Sequence, residues 1–222
     1  KVKGPLHQIK AFLLSAPPEC ITHGSSEGPS CGWWRSPARC AGRRPTPASS
    51  APPAAEICRE SIPGLHINHV DISELPLLNT DLEVNGRFPP AVEAFRDKIS
   101  SADCFLFASP EYNYSISGPL KNALDWGSRP PNCWADRAAA MLSASGCSGG
   151  SRSQYHIRQV GVFLDIHFIN KPEVFTKAHL PPKKFDAGGD LIGSETKEQV
   201  RRMLLSLQAF ALRLQGKSEQ GN

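Results

Sequence analysis

The sequence predicts an α/β protein, an open, doubly wound parallel sheet with its ligand site at the carboxyl ends of the strands. Two stretches make that case. Cys104–Ala108 is a short, continuously apolar run, the pattern of a strand covered on both faces. A polar loop follows it, then Gly118 and Pro119 open a segment with Leu120, Ala123, Leu124 and Trp126 at helical spacing. Residues 138–144 repeat the order, leading through a Gly/Ser-rich stretch into a second helix over 154–163. Strand, polar loop, helix is how such sheets present a crevice to a ligand.

Taken in order, the elements fall into place from residue 54 onward. Residues 54–60 read as the end of a first helix and 62–65 as a turn. Residues 65–72 alternate apolar and polar with period two, as a half-exposed edge strand does. His66 and His69 are three apart, so in a strand they face opposite ways and no shared metal is expected there. Residues 75–86 read as a loop. Pro89 and Pro90 open a helix with Val92, Phe95 and Ile99 on one face. The last strand is expected around 166–169 and 173–176, with Asn170, Lys171 and Pro172 in its middle, and 181–192 is a Gly/Pro/Asp-rich loop. In the final helix Val200, Met203, Leu204, Leu207, Phe210, Ala211 and Leu214 form a core stripe, and Thr196 with Gln199 is spaced for a capping box.

The net charge of +4 misleads as a guide to partners. Residues 1–55 carry seven Lys or Arg against Glu19 and Glu27, a net of +5, which leaves −1 for the rest. That balance argues against nucleic acid. The seven cysteines show no C-x-x-C and no zinc-like spacing, so a reduced, cytoplasmic compartment is expected over a disulfide framework. No apolar run approaches the ~20 residues of a membrane span. Peripheral membrane association and a basic, acid-poor transit segment stand as alternatives for location.

Two loops carry the candidate site. The first offers Pro110, Glu111, Tyr112, Asn113, Tyr114 and Ser115: two aromatic rings, an amide, a carboxylate and backbone N–H groups beside a strand end. Such a loop can hold a flat, polar-edged ring against an aromatic wall, although Tyr and Asn are also ordinary turn residues. The second, 143–152, contains Gly146, Gly149 and Gly150, which permit positive φ and close backbone approach, or simply connect. Arg152 and His156 stand one helical turn apart, placed either for a phosphate or carboxylate or on a solvated face.

Residues 110–115, followed by Gly118, Pro119, Leu120, Lys121, Asn122, Ala123, Leu124, Asp125 and Trp126, resemble the signature of the NADPH-dependent FMN reductase family. Within that family the similarity is greatest to the plant NAD(P)H:quinone oxidoreductases, and it runs from about residue 55 to 215. The resemblance implies a flavodoxin-like five-stranded sheet of order 2-1-3-4-5. It also implies FMN as cofactor, NAD(P)H as cosubstrate and a quinone as acceptor, in ping-pong hydride transfer with no catalytic side chain and no metal. Residues 110–115 would hold the flavin ring, with Gly146, Gly149 and Gly150 at its far edge. Family members form homodimers or homotetramers, the region of residues 75–86 lies at a subunit contact, and Trp126 and Trp134 belong either to that contact or to the core. The chain departs from the family pattern at Ser145, Cys147, Ser148 and Ser151, where mostly glycine and one aromatic are usual.

The first fifty-three residues are irregular and hold nine of the twenty prolines. Read from each third base, the codons for residues 32–53 admit Val-Val-Ala-Leu-Ser-Gly-Ser-Leu-Arg, similar to the family's first strand and phosphate loop. The expectation is that residues 31–53 are a wrong-frame translation, that 54–216 form the FMN-binding domain and that 217–222 are a polar tail. In the chain as written only 9–14 has strand character for the missing position. It is followed by Pro17 and Pro18, without N–H donors, so the first strand and phosphate loop are expected to be lost or replaced and FMN to bind weakly. The alternative to a quinone reductase is therefore an impaired flavodoxin-like protein, acting at most as a subunit partner. A third reading within the enzyme class is a reductase of free flavin, azo dyes or metal oxyanions.

Overall fold

The computed structural model describes residues 8–15, 53–146, 148–186 and 190–216. Its strands are β1 (Ile9–Ser15), β2 (Leu65–Val70), β3 (Cys104–Ala108), β4 (Arg137–Ser145), β5 (Ile166–Phe168) and β6 (Val174–Lys177). Its helices are α1 (Pro53–Ser61), α2 (Pro90–Ser100), α3 (Gly118–Ser128), α4 (Ser151–Leu164) and α5 (Ser194–Leu214). All strand pairings are parallel and the order is β2-β1-β3-β4-β5, with β6 also paired to β4. This is the doubly wound α/β sheet that the sequence predicts.

The central place beside β3 is filled by Ile9–Ser15, in register from Ala11 opposite Cys104 to Ser15 opposite Ala108. Ile9, Ala11, Leu13 and Leu14 are at most 2% exposed, which is why this stretch can serve inside a sheet. Ile9–Ser15 thus completes the sheet order between β2 and β3. The expected wrong-frame stretch of residues 31–53, except Pro53 at the start of α1, and the polar tail of 217–222 lie outside the described residues.

Strand alternation divides the core into two layers. Cys104, Leu106 and Ala108 of β3, with Ala138, Ala140 and Leu142 of β4, face α1 and α5. Phe105 and Phe107, with Ala139 and Met141, face α2, α3 and α4. Trp126 and Trp134 are both wholly buried in that second layer, Trp134 in edge contact with Phe105 at 4.9 Å. They are core residues, and of the two roles open to them the subunit contact is ruled out.

Three expectations need correction. The fifth strand position is shared by two segments, because Asn170, Lys171 and Pro172 leave the ladder and proline has no N–H to give it. The capping box at Thr196 does not form: α5 begins at Ser194 behind Gly193, which leaves Thr196 inside the first turn, and Gln199 bonds Glu195 instead. In the α5 stripe Val200, Met203, Leu204, Leu207 and Ala211 are buried, whereas Phe210 is only partly covered and Leu214 is 40% exposed at the helix end. The other elements agree within a few residues: β2 ends at Val70, and α4 starts at Ser151.

Candidate active site

Both candidate loops stand where parallel sheets bind ligands, after the carboxyl ends of the adjacent strands β3 and β4. Ser109 closes the first loop at its base. Its N–H continues the ladder to the Leu142 carbonyl (3.1 Å), its hydroxyl donates to the Pro110 carbonyl (2.8 Å) and it accepts from the Ser117 N–H (3.3 Å). At the tip, Tyr112 and Ser115 exchange N–H···O=C bonds of 3.0 and 2.8 Å around Asn113 (φ 47°) and Tyr114 (φ 67°). Positive φ at both central residues is the signature of the mirror-image two-residue turn. Asparagine accepts that conformation readily, but a tyrosine there costs about 1–3 kcal/mol and must be held by its surroundings. The holder is Arg152 of α4, whose guanidinium carbon lies 3.8 Å from the centre of the Tyr114 ring.

The second loop is packed by its own glycines. Gly149 (φ 63°) and Gly150 (φ 88°) take left-handed conformations. A side chain at Gly150 would place its Cβ 2.4 Å from the Ser143 Cβ, and one at Gly149 would meet the Phe175 backbone at 2.9 Å. Their glycine identity is thus explained by packing against β4 and β6. Gly146 differs: a Cβ there would meet nothing within 4 Å, and the same holds at Gly118 beside the first loop. Below the glycines, the buried Ser143 hydroxyl donates to the Gly149 carbonyl (2.7 Å) and accepts from Gln154 Nε2 (2.7 Å). Gln154 also donates to the Val174 carbonyl (2.9 Å), and Ser153 Oγ to the Gly150 carbonyl (2.8 Å).

Glu111 joins the two loops. Its side chain is 8% exposed. One carboxylate oxygen accepts from Ser148 Oγ (2.6 Å) and the Arg152 N–H (3.1 Å), the other from Arg152 Nη1 (2.7 Å). Burial pushes this carboxyl up, but the hydrogen bonds from Ser148 and Arg152 outweigh it and hold the group below the usual carboxylate range. A carboxylate at the first turn of α4 also meets the positive end of the helix dipole. One turn on, His156 Nδ1 lies 2.8 Å from Ser115 Oγ, a second tie between α4 and the first loop.

The structure thus brings Pro110, Glu111, Tyr112, Asn113, Tyr114 and Ser115 together with Gly146, Gly149 and Gly150 across two neighbouring strand ends. Arg152 and His156 both reach the first loop from a partly solvated helix face, Arg152 through Glu111 and Tyr114 and the exposed His156 through Ser115. Sequence reasoning missed Ser148 as a donor and the buried Ser143–Gln154 pair. The spacing of Arg152 and His156 was the one available signal of the tie; Ser143 and Gln154 read as ordinary strand and helix residues.

The chemistry of this donor set suits a planar, polar-edged group. The open backbone at Gly118 and Gly146 is space that a side chain would fill. Buried Ser117 Oγ, at the start of α3, is a polar atom without a hydrogen-bond partner among the described residues. Residues 110–115 and Gly146 are the ones that would hold such a planar group.

Comparison with known proteins agrees. The model of the NADPH-dependent FMN reductase family matches residues 44–179. Over 164 residues the chain is 80% identical to the probable NADPH:quinone oxidoreductase 2 of Oryza sativa subsp. japonica, covering 74% of this chain and 81% of that protein. It is 69% identical to the NAD(P)H:quinone oxidoreductase of Solanum tuberosum, over 75% and 86% of the two chains, and 37% identical to a quinone reductase of Escherichia coli K12, over 64% and 77%. Among solved structures, the flavoenzyme NAD(P)H:(acceptor) oxidoreductase FerB of Paracoccus denitrificans superimposes with a TM-score of 0.63 at 19% identity, covering 94% and 98%. The flavodoxin-like WrbA-like protein of Agrobacterium tumefaciens does so with 0.51 at 13%, covering 93% and 99%. At those identities the likeness concerns the fold. By sequence and by fold, this chain belongs to the NADPH-dependent FMN reductase family.

Proposed function

We propose that this oxidoreductase reduces quinones at the expense of NAD(P)H, with FMN held between the loops that follow β3 and β4. The observation that carries the reading is the pairing of the tyrosine-bearing turn, residues 110–115, with the open backbone at Gly146 across neighbouring strand ends. FMN supplies the redox chemistry when bound, accepting from NAD(P)H and giving to the quinone in turn. The protein's part is to grip one edge of the ring, wall one side and leave the other face open. Pro110, residues 112–115 and Gly146 are assigned to the ring, with Glu111, Gly149 and Gly150 shaping the two loops from behind. No side chain needs to act as acid, base or nucleophile, which agrees with the commitment of Glu111 and Arg152 to each other.

The reading extends to assembly and location. Leu77 (82% exposed), Val84 (61%) and, on α4, Phe163 (89%) leave apolar surface that a homodimer or homotetramer would cover. A cytoplasmic location is proposed, and among the described residues no helix is long and apolar enough to cross a membrane. Full-length protein incubated with FMN and assayed for quinone-dependent NAD(P)H oxidation tests the function. Parallel double-reciprocal lines are expected for alternating half-reactions. Intersecting lines would remove the ping-pong step. Failure to bind FMN or to oxidise NAD(P)H would leave the impaired subunit partner as the reading.

A further inference from the structure

Ser148 is one of four positions where the family pattern leads one to expect mostly glycine and one aromatic, and neither places a hydroxyl beside the backbone. In the structure that hydroxyl does two things: it donates to Glu111 Oε2 at 2.6 Å and accepts the Gly150 N–H at 3.1 Å. It therefore links the first loop to the backbone of the second at its left-handed turn. Glu111 completes the link through the Arg152 N–H and guanidinium, and Arg152 in turn covers Tyr114. Among the described residues the donors that reach the Glu111 carboxylate are Ser148 of the second loop and Arg152 of α4, and the side chain is almost wholly buried. A group so placed does not face a ligand; it sets the distance between the two loops that would.

We propose that Ser148 and Glu111 are positioning residues: their hydrogen bond, backed by Arg152, fixes the spacing of the two loops and so sets how tightly the flavin ring is gripped. The inference rests on the proposed function for the identity of the ring, but the tie itself is a property of the apoprotein. It also gives Ser148 a use that departure from a glycine-rich pattern would not suggest.

The test compares wild type with Ser148→Ala, Ser148→Gly, Glu111→Gln and Glu111→Asp in the full chain. FMN dissociation constants come from quenching of flavin fluorescence, and loop order from amide exchange of the apoprotein over residues 109–117 and 145–152. Glu111→Gln should weaken FMN about tenfold or more, and Ser148→Ala or Ser148→Gly severalfold. Exchange should quicken in both loops in each of these variants, while KM for the quinone stays put. Glu111→Asp, which keeps the charge, should recover part of the affinity. The double variant Ser148→Ala/Glu111→Gln should bind FMN no worse than Glu111→Gln alone, because the two residues act through one bond. Weaker FMN binding with unchanged apoprotein exchange would overturn the inference, since Glu111 would then contact the flavin itself; unchanged FMN binding would overturn it as well. If wild type binds no FMN, the proposed function fails, while the exchange comparison still decides whether the tie exists.

Discussion

Replacing Gly150 by alanine should destabilise the protein, and replacing Gly146 should not. At Gly150 two costs combine. The left-handed backbone (φ 88°) costs an alanine about 1–2 kcal/mol. The new Cβ would lie 2.4 Å from the Ser143 Cβ, where carbon atoms rest at about 3.5–4.0 Å, so roughly 1 Å of movement is required. Ser143 cannot give that way freely, because its hydroxyl holds the Gly149 carbonyl and Gln154, both at 2.7 Å. Breaking one of those buried bonds costs about a further 1–3 kcal/mol. The expected loss is about 3 kcal/mol or more, a large part of the ~5–15 kcal/mol that holds a domain together. At Gly146 the backbone is not left-handed and a Cβ meets nothing, so Gly146→Ala should change stability by less than about 0.5 kcal/mol. Urea titrations of the two apoproteins beside wild type read both values. A Gly150→Ala loss below about 1 kcal/mol, or equal losses at the two sites, would refute this account of the loop. Gly146→Ala should instead weaken FMN, because it fills the space assigned to the ring.

Three further outcomes follow from the packing and the ion pairs. Gly127→Ala gains about 1 kcal/mol in helix propensity but sets a Cβ 2.4 Å from the Trp134 indole, whose Nε1 donates to the Leu124 carbonyl; a net fall in thermal midpoint is expected. Arg96→Met leaves the buried Trp126 carbonyl and the half-exposed Pro131 carbonyl without their 2.8 Å donors, for a loss of about 1–3 kcal/mol in a denaturant titration. Glu111 is held below the usual carboxylate range in the folded state, so its contribution is complete above the unfolded value of about 4.3 and fades as pH falls through the lower folded value. The stability gap between wild type and Glu111→Gln should therefore be constant near neutrality and narrow only in acid; a gap that narrowed as pH rose would reverse the sign and exclude the mechanism.

The fold was legible wherever burial on both sides left its mark. Phe105 and Phe107 against Leu106 and Ala108 announce a covered strand, and Val92, Phe95 and Ile99 a one-faced helix; each pattern records a single element meeting a single surface. β1 was harder, since the apolar run at 9–14 is short and sits beside a Pro-rich stretch, and its place comes from pairing with Cys104–Ala108 on one side and Leu65–Val70 on the other. The candidate loops were visible through their tyrosines and glycines. What holds them was not: the Glu111–Ser148 bond spans 37 positions of sequence and the Ser143–Gln154 bond depends on the angle at which α4 leaves β4. Arg96, a charged residue 5% exposed and satisfied by two carbonyls, left no trace in the helical pattern around it. The capping-box expectation failed because Thr196 and Gln199 match in spacing while the helix already starts two residues earlier, at Ser194 behind the extended Gly193.

The central claim is that a flavin ring sits between residues 110–115 and Gly146, and amide exchange of the full chain with and without FMN tests it most directly. The account predicts slower exchange on FMN addition over residues 109–117 and 145–152, with the edge strand β2 and the carboxyl half of α5 unchanged. FMN binding that leaves both loops as they were, with protection appearing elsewhere on the chain, would contradict it.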